Sequence, residues 1–359
     1  MKISVRIYRI IAKLLLAAVV LVFVGTIAFV GMQVSGKNKL YSKSNSTGPD
    51  LSLADIPQSP ATVEAVSVED VMGNWQEGDV RYEGVHYRYN DDVLTFLFLG
   101  IDKNTEVKAV KNGIDGGQSD AIFLLVLNPH TMEAAIISVP RDTMTEIDVY
   151  SKQGIYMGTA TAQITLQHGY GDGAQLSCER SMNAVSKLFY NLPIHGYCAI
   201  NMGAIPLIND AVGGVELVAL EDVKGTNIKK DQKVHLKGQD AYKYLQSRDT
   251  NANESAVGRL ERQKQYLSVY AATAMDAMKK DITLPVTLYN TISKYMVTDI
   301  SIDEVSYLTT QAGSYSFNNE NIYTLQGEVV KGETYEEFYF DETALYELIL
   351  EVFYEEVIN

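Results

Sequence analysis

Three apolar runs, Leu94–Ile101, Ala121–Leu127 and Ala134–Val139, follow one another closely, each of strand length and rich in Phe, Leu, Val and Ile. Near-continuous apolarity over such a length suits a central strand covered on both faces. Each run adjoins a charged group: Asp102 follows the first, Asp120 precedes the second, and Arg141 with Asp142 follows the third. Carboxylates and an arginine at strand ends are how open α/β sheets build sites, because ligands bind where strands stop. For any one of these charges alone, a solvated loop end is an equally good explanation.

The N-terminus bears on the compartment. Residues 1–13 carry Lys2, Arg6, Arg9 and Lys13 and no acid, and residues 14–34 then run without a charge. A bilayer core needs roughly 20 apolar residues, so this stretch is expected to span it. A cleavable leader has a shorter apolar region and an A-x-A-like site, and IAFVGMQVSG offers none. Basic residues before the span outnumber Lys37, Lys39 and Lys43 after it only slightly, and the positive-inside rule then puts the short tail inside. The expectation is one signal-anchor helix in the cytoplasmic membrane, with the rest of the chain extracytoplasmic.

Residues 35–70 are polar and rich in Ser, Pro and Asn without a sustained period, and read as a linker. Val68–Met72 and Trp75 are candidates for a short packed element, the tryptophan as a lid or core plug. Residues 71–359 show no repeat and no second linker and are read as one domain, with core motifs in 94–280 and an extension in 281–359. The chain's 46% hydrophobic content is ample for a core. Acids outnumber bases 45 to 30, for a formal charge of −15, which argues against a nucleic-acid partner, since such a domain presents a basic face. Cys178 and Cys198 lie in an expected helix and strand, and a disulfide and two buried thiols remain equally open.

Helix and strand alternate through the middle of the chain. Leu176–Leu192 has helical spacing, Tyr197–Met202 reads as a strand, and Ala204–Val212 as a helix stopped by Gly213-Gly214. A strand at Val215–Leu220, a helix from Gln239 to about Ser247 and a long helix from Arg259 to about Met278 follow. This order predicts an α/β fold, a mainly parallel or mixed sheet with helices on both faces. In the extension, NIYTLQGEVV and TYEEFYFD look like strands and the last run like an amphipathic helix with Asp341 as N-cap.

Asp102, Asp120 and Asp142 flank strands, while Arg141, Arg248, Arg259 and Arg262 lie at strand or helix ends. Arg259, Arg262 and Gln263 can share a helix face. Arginines converging on two aspartates suit a pyrophosphate: Asp oxygens hold Mg²⁺ or Mn²⁺, which bridges phosphate oxygens, and Arg forks bind phosphate bidentately. For Arg262 an ordinary surface ion pair is the favoured reading, and for His168, in a Gly-rich loop, a structural role. Competing chemistries lack their signatures: there is no G-x-S-x-G, H-E-x-x-H, C-x-x-C or Walker A lysine motif.

FLFLGID, SDAIFLLVLNP, IISVPRDT, AVGGVEL, LKGQDAYKYLQSR and GRLERQ resemble, in order over 94 to about 270, the successive signatures of the LytR–CpsA–Psr (LCP) family. By that resemblance Asp102 and Asp120 match the metal-binding aspartates. Arg141 matches the pyrophosphate-binding arginine of P-R-D, beside Asp142. Arg248 matches the second arginine of R-x-R, Arg259 that of G-R, and Gln263 the Gln closing R-x-x-R-Q. The resemblance implies an anchored, Mg²⁺-assisted phosphotransferase with Arg141, Asp142 and Arg259 at its centre. It would move a glycopolymer, teichoic acid or capsule, from an undecaprenyl-pyrophosphate carrier to a muramic acid 6-hydroxyl of peptidoglycan. The family's fold places a polyprenyl groove inside the sheet.

Three positions depart from the family's cations: Gln118 stands for the arginine before S-D, Gln246 for the first arginine of R-x-R, and Gln163 for a lysine or arginine, with Thr165 for a nearby Asn. Each glutamine removes about 1.5–3 kcal/mol if the cation made a charge-assisted bond, though Gln118 and Gln246 can still donate to a pyrophosphate. The departures motivate a second reading, a scaffold or sensor that binds polyprenyl pyrophosphate without efficient transfer. A third, a transcriptional attenuator, fits poorly with an acidic, extracytoplasmic domain.

Overall fold

Side chains alternate across a strand, so an unbroken apolar run has two faces to bury. In the computed structural model, which describes residues 30–44, 48–56, 75–247, 255–332 and 335–357, helices supply both covers. In chain order, helix α1 (30–41) precedes hairpin β1 (Val80–Tyr82) and β2 (Val85–Tyr89), then β3 (Leu94–Ile101), β4 (Ser119–Asn128), β5 (Glu133–Ser138) and hairpin β6 (Met144–Tyr150) and β7 (Tyr156–Gln163). A helical turn at Leu166–Gly169 leads into α2 (Gln175–Leu188), β8 (Gly196–Asn201), α3 (Ile205–Ala211), β9 (Val215–Val218), β10 (Lys233–Leu236), α4 (Gln239–Gln246) and α5 (Ser255–Lys280). The chain closes with α6 (Leu284–Ile292), β11 (Met296–Thr298), α7 (Ile302–Ala312), β12 (Ile322–Thr324), β13 (Gly327–Lys331), β14 (Glu336–Phe340), α8 (Glu342–Phe353) and β15 (Tyr354–Glu356).

The central sheet has the order β11-β8-β3-β4-β5-β12. Strands β3, β4 and β5 form an antiparallel meander, β8 runs parallel to β3, β12 parallel to β5, and β11 antiparallel to β8. The sheet is therefore mixed, as the alternation predicts. On one face Leu97, Leu99, Ile101, Ile122, Leu124 and Val126 pack with Val185 and Leu188 of α2 and Ile349, Leu350 and Phe353 of α8. On the other, Leu94 and Phe96 meet Leu40 of α1 and Ile300, with Val305, Tyr307 and Leu308 of α7 alongside. Each fully buried Leu, Ile or Phe contributes about 1.5–3 kcal/mol, so the two faces carry much of the fold.

Several boundaries differ from the sequence reading. Asp120 lies within β4, whose pairing with β3 extends to the Ile101–Ser119 register. The hairpin β6–β7 was not legible, because its burial is mixed and Tyr156–Gln163 is largely exposed. The run NIYTLQGEVV, 321–330, expected as one strand, divides, β12 completing the central sheet and β13 pairing with β14.

The expected tether also differs at its start. Residues 35–41 continue helix α1, and residues 30–34, read as the end of the membrane span, open it. Gln33 Nε2 donates to the Ser306 carbonyl (2.9 Å) and lies 3.0 Å from Ser306 Oγ; Ser35 Oγ donates to Asp303 Oδ2 (2.8 Å), and Leu40 is fully buried. Polar side chains without apolar periodicity find their partners in α7. Residues 14–29 of the expected span and residues 45–47 and 57–70 of the expected linker lie outside the described residues. Among the described residues no helix is long and apolar enough to cross a membrane.

Trp75 is not a core plug: 42% exposed, it stacks on His86 at 4.7 Å. The segment Val68–Met72 lies outside the described residues. Cys178 and Cys198 are free and buried, and burial pushes both thiols up.

Candidate functional site

Strand direction gathers the charges. The end of β3, the start of β4 and the end of β5 lie at one end of the sheet, and β8 ends there too. Asp102 follows β3, Asp120 sits at the second position of β4, and Pro140 turns the chain after β5 to present Arg141 and Asp142.

Arg141 is held by three groups. Its Nη1 pairs with Asp120 Oδ1, its Nη2 donates to Gln118 Oε1 at 2.9 Å, and its Nε lies 3.3 Å from Asp142 Oδ1. Arg259, reaching in from α5, has Nη1 4.0 Å from Asp120 Oδ2. Asp120 thus stands between two guanidiniums that come from distant parts of the chain. Burial is the largest influence on its carboxyl and pushes it above the usual range. Arg141 and Arg259 pull it down, while Asp102 and Asp142 add like charge. The ion pair with Arg141 requires the carboxylate form, so here the geometry outweighs the shift.

The loop before β4 is built backbone to side chain. Asp102 N–H donates to the Gln118 carbonyl (3.1 Å) and Gln118 N–H to Asp102 Oδ1 (2.8 Å). Gly117 has φ +74°, and a Cβ there would meet Asp102 Oδ1 at 2.8 Å, so the close approach needs glycine. Thr165 is fully buried and stitches two site loops: its Oγ1 donates to the Ser119 carbonyl (3.0 Å) and its N–H to that of Arg141 (3.1 Å). His168 lies 1% exposed behind this loop, with Nδ1 3.2 Å from the Gly117 carbonyl, and burial lowers its pKa. Its role is structural, as expected.

The glutamines behave differently from one another. Gln118 props Arg141. Gln163, ending β7, has Nε2 2.9 Å from Asp142 Oδ1 and 2.7 Å from the Glu336 carbonyl. Gln246 is exposed at the end of α4. The amide of Gln263 is turned to the Leu245 carbonyl at 3.5 Å. Arg248 lies outside the described residues.

Arg262 corrects the surface ion-pair reading. It is 1% exposed, donates from Nη2 to the Ser247 carbonyl, lies over the Tyr244 ring at 5.8 Å and has Nε 3.6 Å from Glu221 Oε2. It pins the end of α4 to α5. The signal that could have found it is the LQSR…GRLER spacing, which brings a carbonyl-rich helix end against the next helix.

Among the described residues no group of three or more His, Cys, Asp or Glu is arranged to hold a metal. Asp102 and Asp120, electrostatically coupled at adjacent strand ends, fit a hard cation that takes its remaining oxygens from phosphate and water, as Mg²⁺ does. A cavity of about 310 Å³ lies at the opposite end of the sheet, lined by Asn90, Asp91, His130 and Glu355 among others. His130 there is tied to Glu355 and Asp92 at 2.8 and 3.1 Å. The arginine cluster, rather than that carboxylate-rich hollow, has the charge to meet phosphate. On the α1-covered face of β3 and β4, Phe98, Phe123, Leu125 and Leu127 are only partly buried; the Phe98–Phe123 pair lies nearer the cluster, and Leu127, opposite Leu94, at the far end.

The LytR_cpsA_psr family model matches residues 61–350. A protein of Oceanobacillus iheyensis, named polyisoprenyl-teichoic acid–peptidoglycan teichoic acid transferase TagU, is 28% identical over 263 residues, 71% of this chain and 74% of its own. The crystal structure of Bacillus subtilis TagV has a TM-score of 0.53 at 21% identity, covering 72% of this chain and 95% of that one. The structure of TagT bound to LIIa-WTA has a TM-score of 0.51 at 20% identity, covering 73% and 89%. These structures share the fold.

Proposed function

The chain belongs to the LytR_cpsA_psr family, and from that premise we propose that it transfers a glycopolymer from a polyprenyl-pyrophosphate carrier to peptidoglycan. The observation that carries this reading is Asp120 bracketed by Arg141 and Arg259 at the strand ends. A diphosphate entering there exchanges carboxylate partners of the arginines for its own oxygens, in charge-assisted bonds of the same kind. An acceptor hydroxyl then attacks the sugar-linked phosphorus and gives up its proton to solvent or to the departing phosphate, the bond to the carrier phosphate breaks, and a phosphodiester and polyprenyl monophosphate result. Charge grows on the leaving phosphate, and fixed guanidiniums stabilise it without reorganising. Asp142 serves to orient Arg141.

Asp102 and Asp120 would hold Mg²⁺ or Mn²⁺, which when bound supplies further charge neutralisation at the diphosphate. The half-buried pair Phe98 and Phe123, on the side of that face nearer the arginines, supports a place for the start of the lipid tail. The names of the relatives, a teichoic acid transferase and a TagT bound to LIIa-WTA, support the substrate class. The polymer is of the teichoic-acid or capsule kind, and the uncharged stretch 14–34 supports an anchored, extracytoplasmic domain.

The test uses the full chain in lipid nanodiscs with a lipid-pyrophosphate-linked saccharide, peptidoglycan fragments and Mg²⁺. Metal-dependent product, lost in Arg141→Ala and in Asp120→Ala, supports the transferase. Lipid binding without product from any donor supports a binding scaffold, the reading that Gln118, Gln163 and Gln246 motivate. Absence of binding overturns both.

A further inference from the structure

The hairpin β13–β14 carries none of the family signatures, yet its main chain reaches the arginine cluster. Phe338 N–H donates to the Asp142 carbonyl at 2.9 Å, and Phe338 forms a parallel bridge with Thr143. The Phe338 ring is 8% exposed and belongs to the main core, so the hairpin is fixed at that point. Gln163 Nε2 lies between two acceptors, Asp142 Oδ1 at 2.9 Å and the Glu336 carbonyl at 2.7 Å. An amide nitrogen has two N–H donors. Two acceptors at its nitrogen leave no doubt about which way the amide faces. Asp142 Oδ1 in turn accepts from Arg141 Nε at 3.3 Å.

A continuous chain results: β14 main chain, Gln163 amide, Asp142 carboxylate, Arg141 guanidinium. We propose that Gln163 is a positioning residue, and that the C-terminal hairpin is thereby part of the diphosphate site. Asp142 has a side chain 29% exposed, so without Gln163 its carboxylate is free to turn toward water. Arg141 would then lose the partner that sets the tilt of its Nε edge. This inference rests on the reading of Arg141 as a diphosphate-binding arginine. It adds the claim that residues outside the core motifs aim it.

The experiment uses the full-length chain with ¹⁵N-labelled arginine. The Nε–Hε resonance of Arg141, identified by its loss in Arg141→Lys, reports the bond to Asp142, and binding of inorganic pyrophosphate reports the site. Gln163→Leu keeps the volume and removes both donors, and Gln163→Lys returns a donor. In Gln163→Leu the resonance shifts and exchanges faster with water, and pyrophosphate binds about tenfold more weakly, the scale of loss when an outer partner of a binding group is removed. Gln163→Lys restores both. An unmoved resonance in Gln163→Leu overturns the proposal, as does a loss that Gln163→Lys leaves unrepaired. If the unaltered chain binds no pyrophosphate, the diphosphate reading and this role fall together, whereas the resonance separately shows whether Gln163 holds Arg141.

Discussion

Gln118 Oε1 accepts from Arg141 Nη2 at 2.9 Å, so a neutral amide supports the guanidinium at a position where the LCP pattern has an arginine. An arginine at 118 could not accept that bond, and would set a second guanidinium against the first. Gln118 thus acts through its carbonyl as a support for Arg141.

Gln118→Met removes the acceptor at nearly constant volume. Arg141 keeps Asp120, and its side chain is 25% exposed, so water can replace the amide. A hydrogen bond to a charged group with that compensation is worth about 1 kcal/mol. Pyrophosphate affinity, measured by calorimetry, is expected to fall about fivefold by the same arithmetic. An unchanged affinity would mean that Gln118 does not support Arg141.

His195 predicts an acid-sensitive fold. It is fully buried, Nδ1 accepts from Thr95 N–H at 2.9 Å, and Nε2 lies 2.8 Å from Ser44 Oγ. That pattern needs the neutral ring, and burial lowers its pKa to about 4, with Lys43 adding to the shift. A histidine lowered in the folded state leaves stability intact above its unfolded value of about 6.5. Stability is then lost as pH falls from there to about 4, at about 1.4 kcal/mol per pH unit. Denaturant midpoints measured at pH 7 and pH 5 should fall in this chain and fall less in His195→Gln.

Arg262 predicts the opposite pattern from Arg141. With its guanidinium on the Ser247 carbonyl and over Tyr244, Arg262→Ala opens a cavity and frees a carbonyl, a cost of about 2–4 kcal/mol. Urea unfolding should report that loss while pyrophosphate affinity holds within about twofold, since a loss below 0.5 kcal/mol is expected for a residue that does not touch the ligand.

What the sequence made legible was whatever had a period or a motif. The runs at Leu94, Ala121 and Ala134 became β3, β4 and β5 with their charges at one end, and Gly213-Gly214 closed α3 with φ of +91° and +92°. Illegible were contacts that join distant, weakly patterned segments. Nothing periodic marks Tyr156–Gln163, so Gln163 read as a lost cation rather than a brace. No apolar period marks residues 35–41, because beside Leu40 it is polar pairs to α7 that hold much of that helix. Arg262 looked like a surface residue because burial of a charge depends on partners in the third dimension.

The docking of α1 on α7 gives the last prediction. Asp303 accepts from Lys39 and Ser35 at 2.7 and 2.8 Å, and the Lys39 bond holds its carboxyl well below the usual range. Glu304, the capping-box residue of α7, lies 3.4 Å from Lys43 Nζ. A depressed carboxyl contributes stability that is present above its unfolded value of about 3.9 and lost as pH falls below it. The latch is therefore closed at neutral pH. Lys39 is half exposed, and screening limits such a pair to a small share of the docking energy. Asp303→Asn keeps the shape and removes the charge while leaving Glu304 to cap α7. Hydrogen exchange by mass spectrometry at pH 7 should then speed up in peptides covering 30–44 and stay constant in those covering 118–142. Equal protection of 30–44 in both proteins would mean that Leu40 and the Gln33 bonds hold α1 without the latch.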